Sequence, residues 1–229
     1  MVKEIRQNME IVLESISDAC SKAGRSPDEV TLMAVSKNHP AAIVAEALEV
    51  GLCNFGENRV QEAVEKKQAV VGSAFWELIG NLQTNKARLA AEHFDRIQSV
   101  DRLKLINALD RHCGELGRAR LPILLQVNAG RDPAKFGCEI DDAEALTELV
   151  LSKNHLQLDG LMTIAPLSGD PSIARKTFAE LRKIRDNLSS KLGVRLDVLS
   201  MGMSGDFESA IAEGSTLVRV GTALFGGRK

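Results

Sequence analysis

An α/β fold, a single (β/α)8 or TIM barrel with an extra N-terminal helix, is what this sequence of 229 residues predicts. Three observations carry it. Short apolar runs alternate with amphipathic stretches along the whole chain. Strands that alternate with helices form parallel sheets. The alternation repeats eight times, the number of units that closes a barrel in ~200–250 residues. A doubly wound open sheet is the alternative. No linker, low-complexity segment or repeat beyond the βα unit divides the chain, so 1–229 reads as one domain.

The elements follow in order. In MVKEIRQNMEIVLESISDAC, the residues Val2, Ile5, Met9, Val12, Leu13 and Ile16 recur at helical spacing, so the segment reads as an amphipathic helix lying on the barrel. TLMAVSK (31–37) is the first strand, and Pro40 opens the helix 40–50. CNFGE (53–57) is the second, with a helix from Arg59; FWELIG (75–80) is the third, with a helix from Asn85. RIQSV (96–100) is the fourth, and Asp101 is placed to cap the next helix. PILLQVN (122–128), LDGLMTI (158–164) and LDVLSMGM (196–203) follow, with helices from Asp141, over 172–191 and over 206–213. LVRVGTALFG (217–226) is the eighth strand.

Composition excludes several classes. The formal net charge is −2, with both signs mixed and no basic patch interleaved with aromatics, which argues against nucleic acid. No apolar run approaches the ~20 residues of a membrane span, and the charged N-terminus has no signal-peptide core. Cys20, Cys53, Cys113 and Cys138 are far apart, with no CxxC and no Cys/His cluster. Neither zinc nor a disulfide framework is expected; reduced thiols in a cytoplasm are.

Barrel sites lie at the C-terminal ends of strands. The polar residues there are Lys37, Asn54, Glu57, Gly80, Ser99, Asn128, Thr163, Ser204 and the group Arg219, Gly221, Thr222. Lys37 ends an apolar strand and points into the mouth if Met33 and Val35 point inward, since side chains alternate. A lysine against a desolvating wall has an amine that can attack an aldehyde; a solvated strand-end lysine is the bland reading. Small residues after the seventh and eighth strands, Ser204, Gly221 and Thr222, suit a phosphate, and plain turn chemistry would also explain them. Arg219 shares Gly221's side of its strand, so its guanidinium lies inside and needs an acceptor. A ring nitrogen, a carboxylate or a phosphate would serve, as would an internal salt bridge with Glu57. Glu57 with Arg59 reads as a surface ion pair, and His39 as an exposed loop residue.

These pieces together resemble the pyridoxal-phosphate homeostasis protein family, once called proline synthase co-transcribed proteins, whose relative in fold is the N-terminal barrel of alanine racemase. The matching segments are AVSK (34–37), NFGENRVQEA (54–63), IGNLQTNKAR (79–88), SVDR (99–102), QVN (126–128), GLMTIAP (160–166) and LSMGMSGDFESAIAEGSTLVRVGTALFG (199–226). Two departures stand out. The family's WHFIG is Trp76-Glu77-Leu78-Ile79-Gly80 here, and the AGRDPAKFG segment lacks the Ser and Glu that many members carry.

The resemblance implies a protein that binds pyridoxal 5′-phosphate (PLP) as a Schiff base on Lys37. Ser204 and the backbone of Gly221 and Thr222 would hold the phosphate, Arg219 would face the pyridine nitrogen, and Asn54 would lie beside the ring. It implies a monomeric carrier or buffer in cytoplasmic PLP homeostasis, with apo PLP-dependent enzymes as recipients. Efficient racemase activity is not expected. Racemisation needs a base on each face of the substrate carbon, the second base of alanine racemase is a tyrosine from a further domain, and this sequence has no Tyr. A slow racemase or lyase is the alternative, and a Schiff-base aldolase a third reading. Lys135 is a possible second acceptor at the mouth.

Overall fold

Eight parallel strands close on one another in the computed structural model, which describes residues 2–226. The strands are β1 (Thr31–Val35), β2 (Asn54–Glu57), β3 (Phe75–Leu78), β4 (Arg96–Val100), β5 (Leu121–Gln126), β6 (Leu156–Met162), β7 (Val198–Met203) and β8 (Leu217–Val220). Neighbours in sequence pair throughout, and β8 returns to β1 in the register Thr31↔Leu217 to Ala34↔Val220. The alternation of strand and helix therefore has its (β/α)8 outcome, and the open-sheet alternative is excluded.

The helices are α1 (Val2–Lys22), α2 (Ala41–Glu49), α3 (Val60–Ala69), α4 (Ala87–His93), α5 (Leu103–Glu115), α6 (Ala143–Leu151), α7 (Pro171–Leu192), α8 (Phe207–Ala212) and α9 (Thr222–Phe225). α1 packs on α8, α9 and α2 through Ile5, Val12, Ile16, Ala19 and Cys20. Leu13, expected on that face, is instead 45% exposed. α7 is the best-delimited helix. The Asp170 carboxylate accepts from Ser172 N at 2.8 Å, Pro171 opens the first turn, and Gly193 (φ 64°) ends it in the left-handed region.

Two expectations fail locally. Asp101 does not cap α5; its carboxylate takes the Arg102 guanidinium at 2.5 Å instead, and Arg102 stands at the cap position. The eighth strand stops at Val220, because the chain turns at Gly221 into the four residues of α9.

Register fixes what faces inward. Met33 pairs with Arg219 across β1 and β8, so both side chains share the barrel interior. Met33 also fills the space that a side chain at Gly56 would need, since a Cβ there would stand 2.6 Å from its Sδ. Gly56 is therefore an inward position, and the next residue, Glu57, points out of the barrel toward α3. Among the described residues no helix is long and apolar enough to cross a membrane, and no group of three His, Cys, Asp or Glu could hold a metal ion. All four cysteines are free thiols.

Candidate functional site

A cavity of about 380 Å³ opens at the C-terminal end of the barrel, within the size range of small-molecule sites. Lys37, His39, Asn58, Gly80, Asn81 and Gln126 stand on its wall with Phe136 and Ile164. Met203, Ser204, Gly205, Arg219, Gly221 and Thr222 line the other side. Of the residues expected from sequence, Lys37, Ser204, Arg219, Gly221 and Thr222 meet in this one cavity. Its lining carries two formal cations, Lys37 and Arg219, and no carboxylate among the described residues. Such a lining favours an anion.

Asn54 does not join them. It is the first residue of β2, at the end of the strand away from the mouth, and it is not among the lining residues. Its place is taken by Asn58, the first residue beyond β2, and by Asn81 after β3. Gly80 makes that approach possible: a Cβ there would lie 2.2 Å from the Asn58 carbonyl oxygen, so only glycine fits. His39 is likewise brought to the cavity wall rather than left in an exposed loop, with its ring 5.1 Å from that of Phe225. Lys135 is not on the wall, whereas its neighbour Phe136 is.

Lys37 lies in the turn that follows β1, two residues beyond Val35, where the strand ends, rather than at the strand end expected for it. The turn closes with His39 N donating to Ser36 O at 3.0 Å and passes through Asn38 in the left-handed region (φ 64°). Asparagine tolerates that region better than most residues. A buried group from α3 grips the turn on both sides of Lys37. Lys66 Nζ donates to Ser36 O at 2.7 Å, to Glu57 Oε1 at 2.6 Å and to Glu62 Oε1 at 2.7 Å. Ser36 Oγ donates to Glu57 Oε1 at 2.6 Å, and Asn38 N donates to Glu62 Oε1 at 2.5 Å. Glu57 is fully buried and Lys66 is 4% exposed. The surface pair of Glu57 with Arg59 is thus replaced by a buried pair with Lys66. Burial pushes the Glu57 carboxyl above its ordinary range, against the Lys66 and Ser36 hydrogen bonds that lower it.

Across the cavity the donors are of another kind. Asp206 N donates to Met203 O at 3.0 Å and the Asp206 carboxylate accepts from Met203 N at 2.6 Å, closing the loop after β7. Among the described residues, the N–H groups of Ser204, Gly205, Gly221 and Thr222 have no backbone acceptor, and the hydroxyls of Ser204 and Thr222 have no protein partner within hydrogen-bond distance. These groups can cradle the oxygens of an anion. Gly221 also lets β8 approach β1, since a Cβ there would stand 3.2 Å from Val35 O.

Arg219 forms the floor. It is 3% exposed and donates from Nη1 to Ser200 Oγ at 2.7 Å and from Nη2 to Thr163 O at 2.8 Å. No carboxylate among the described residues is within ion-pair distance of it, so the internal salt bridge with Glu57 does not form. Burial pushes its pKa down to about 10, opposed by the charges of Asp206 and Glu77. A guanidinium has five N–H donors, and two are used on the protein. The other three have no hydrogen-bond acceptor among the described residues.

Residues 11–229 match the family described as alanine racemase, N-terminal domain. The chain is 44% identical over 225 residues to the pyridoxal phosphate homeostasis protein of Pseudomonas aeruginosa, covering 98% of this chain and 96% of the relative. It is 39% identical over 237 residues to the protein of the same name in Escherichia coli K12, covering 99% and 98%. Among solved structures, PipY of Synechococcus elongatus PCC7942 with PLP bound is 44% identical, with a TM-score of 0.83 over 92% of this chain and 100% of that one. An alanine racemase of Clostridium difficile 630 has a TM-score of 0.77 at 16% identity over 99% of this chain and 57% of the racemase, a likeness of fold alone.

Proposed function

Since this chain belongs to the pyridoxal phosphate homeostasis protein family, we propose that it is a PLP-binding protein of intracellular PLP homeostasis, a carrier or buffer. The carrying observation is the cavity itself. One lysine amine and one buried guanidinium face a cradle of hydroxyls and backbone N–H groups, with no carboxylate among the described residues of the wall. That donor set fits a phosphorylated aldehyde with a ring nitrogen. Lys37 holds the cofactor in Schiff-base linkage. Ser204, Gly221 and Thr222 take its phosphate, and Arg219 faces its pyridine nitrogen. Asn58 and Asn81, which line the cavity where Asn54 does not, meet the edge of the ring in this reading. When bound, PLP supplies an electron sink, and the protein decides how far that chemistry goes.

Residues 1–229 act as one barrel unit, and the protein works as a cytoplasmic monomer that passes PLP to apo-enzymes. Free thiols at all four cysteines support a reducing compartment. Titration of the purified protein with PLP tests the reading. A visible absorption band that saturates at one PLP per chain and is lost in Lys37→Ala is expected. A protein that stays colourless at saturating PLP contradicts it and favours the aldolase reading.

One observation favours a second reading, a slow racemase or lyase. His39 shares the cavity with Lys37, which puts two groups able to move protons on one wall. The sequence contains no tyrosine, so the partner base of an alanine racemase has no counterpart here. No steady racemisation of alanine is expected from the PLP-loaded protein. Turnover at an ordinary enzyme rate that disappears in both Lys37→Ala and His39→Ala would establish the second reading instead.

A further inference from the structure

Below the cavity floor, a line of hydrogen bonds runs through the barrel from Arg219 to the opposite wall. Arg219 Nη1 donates to Ser200 Oγ at 2.7 Å, and Ser200 Oγ donates to Gln98 Oε1 at 2.6 Å. Gln98 Nε2 donates to Glu77 Oε2 at 2.8 Å. Glu77 also takes Arg96, from Nε at 2.6 Å and Nη2 at 2.8 Å. β8, β7, β4 and β3 each give one residue to the line. Ser200, Gln98 and Glu77 are fully buried.

The line has only one consistent direction. A carboxylate paired with arginine accepts and does not donate. Gln98 must therefore turn its amide NH2 to Glu77, which aims its oxygen at Ser200. The single Ser200 proton is then committed to Gln98, and the Ser200 oxygen is left to accept from Arg219, which only donates. Bonds in such a chain polarise one another in a low-dielectric interior. Glu77, three bonds away, thus fixes which face Ser200 shows to Arg219. With Thr163 O holding the other end of the guanidinium, the plane of Arg219 is set.

We propose that Glu77 is a positioning residue for the cofactor: through Gln98 and Ser200 it holds the Arg219 guanidinium so that its remaining N–H groups face an acceptor atom of the ligand. The inference rests on the PLP reading, in which that acceptor is the unprotonated ring nitrogen. The negative charge of Glu77 also stabilises the charged Arg219 against its burial.

Ligand-free crystal structures and PLP titrations of the wild-type protein, Glu77→Gln, Gln98→Leu and Arg96→Lys test it. In Glu77→Gln and Gln98→Leu, the guanidinium is expected to leave Ser200, PLP to bind about fivefold more weakly, and the absorption maximum of the bound cofactor to move. Arg96→Lys breaks the two-pronged contact with Glu77 but keeps a cation beside it, so the carboxylate still accepts from Gln98; it should lower the melting temperature and keep the wild-type maximum. An unmoved guanidinium together with a wild-type maximum in both Glu77→Gln and Gln98→Leu overturns the proposal, whatever their stability. So does Arg96→Lys moving the maximum as far as Gln98→Leu. A wild-type protein without a cofactor band defeats the PLP reading instead, and the ligand-free structures still decide whether Glu77 orients Arg219.

Discussion

The turn that carries Lys37 and the loops after β7 and β8 face each other across one cavity, and they are built in opposite ways. The lysine turn is held from a distance. Its anchors, Glu57, Glu62 and Lys66, lie on β2 and α3, 21 to 30 residues away for the bonds to Ser36. The loop after β7 is held locally, by Asp206 folding back on Met203, and the turn after β8 by Leu224 and Phe225 N donating to Gly221 O. The contrast follows from the two tasks. An amine that must meet one atom needs a fixed direction, which a buried charged clamp supplies. An anion needs several N–H and O–H donors at once, which tight turns expose without any distant partner.

Breaking the clamp should have the largest effect. Lys66→Met leaves the buried Glu57 carboxylate without its cation, and a loss of about 3–5 kcal/mol is expected in denaturant unfolding. The pH dependence has a definite sign. Burial already raises Glu57 above its ordinary 4.5, and removing Lys66 raises it further. Between 4.5 and the raised value the native state binds more protons than the unfolded chain. Stability of Lys66→Met should therefore fall as pH rises through that window and level off above it. A loss under about 1 kcal/mol would mean that α3 does not hold the turn.

Breaking the anion side should cost binding rather than stability. Ser204→Ala removes one hydrogen bond to a charged group, about 1.5 kcal/mol, so PLP should bind about tenfold more weakly while the melting temperature stays put. A melting temperature that drops with unchanged affinity would reverse the comparison.

The smallest effect sharpens it. Asn38 sits at φ 64° between the anchored Ser36 and the cavity. Asn38→Ala should lose about 1 kcal/mol, and Asn38→Gly should stay within about half of that, both read in the same unfolding experiment. Equal losses for the two would indicate that the Glu62 contact, not the backbone conformation, governs the turn.

Much of this was legible in the sequence because it follows from period. Strand β4 coincides with RIQSV, and the alternation Met33, Val35, Lys37 aimed the lysine correctly even though the strand ends at Val35. Arg219 was placed inside by its distance from Gly221, and register with Met33 bears that out. What failed had no period to read. NFGE is a strand of four residues with polar residues at both ends, and Asn54, expected beside the ring, opens it at the end away from the mouth, while Asn58 just beyond it lines the cavity. LVRVGTALFG is apolar almost throughout, and a helix of four residues leaves no helical spacing to mark the turn at Gly221. Glu57 reads from sequence as a surface charge paired with Arg59 and nothing singles out Lys66, because only the inward position of Gly56 turns Glu57 toward α3.

Borohydride reduction of the PLP-treated protein, followed by peptide mass mapping, tests the central claim most directly. A single phosphopyridoxyl group on Lys37, absent when borohydride is omitted, is the predicted result. A stoichiometric adduct on another lysine, or none at saturating PLP, would contradict it.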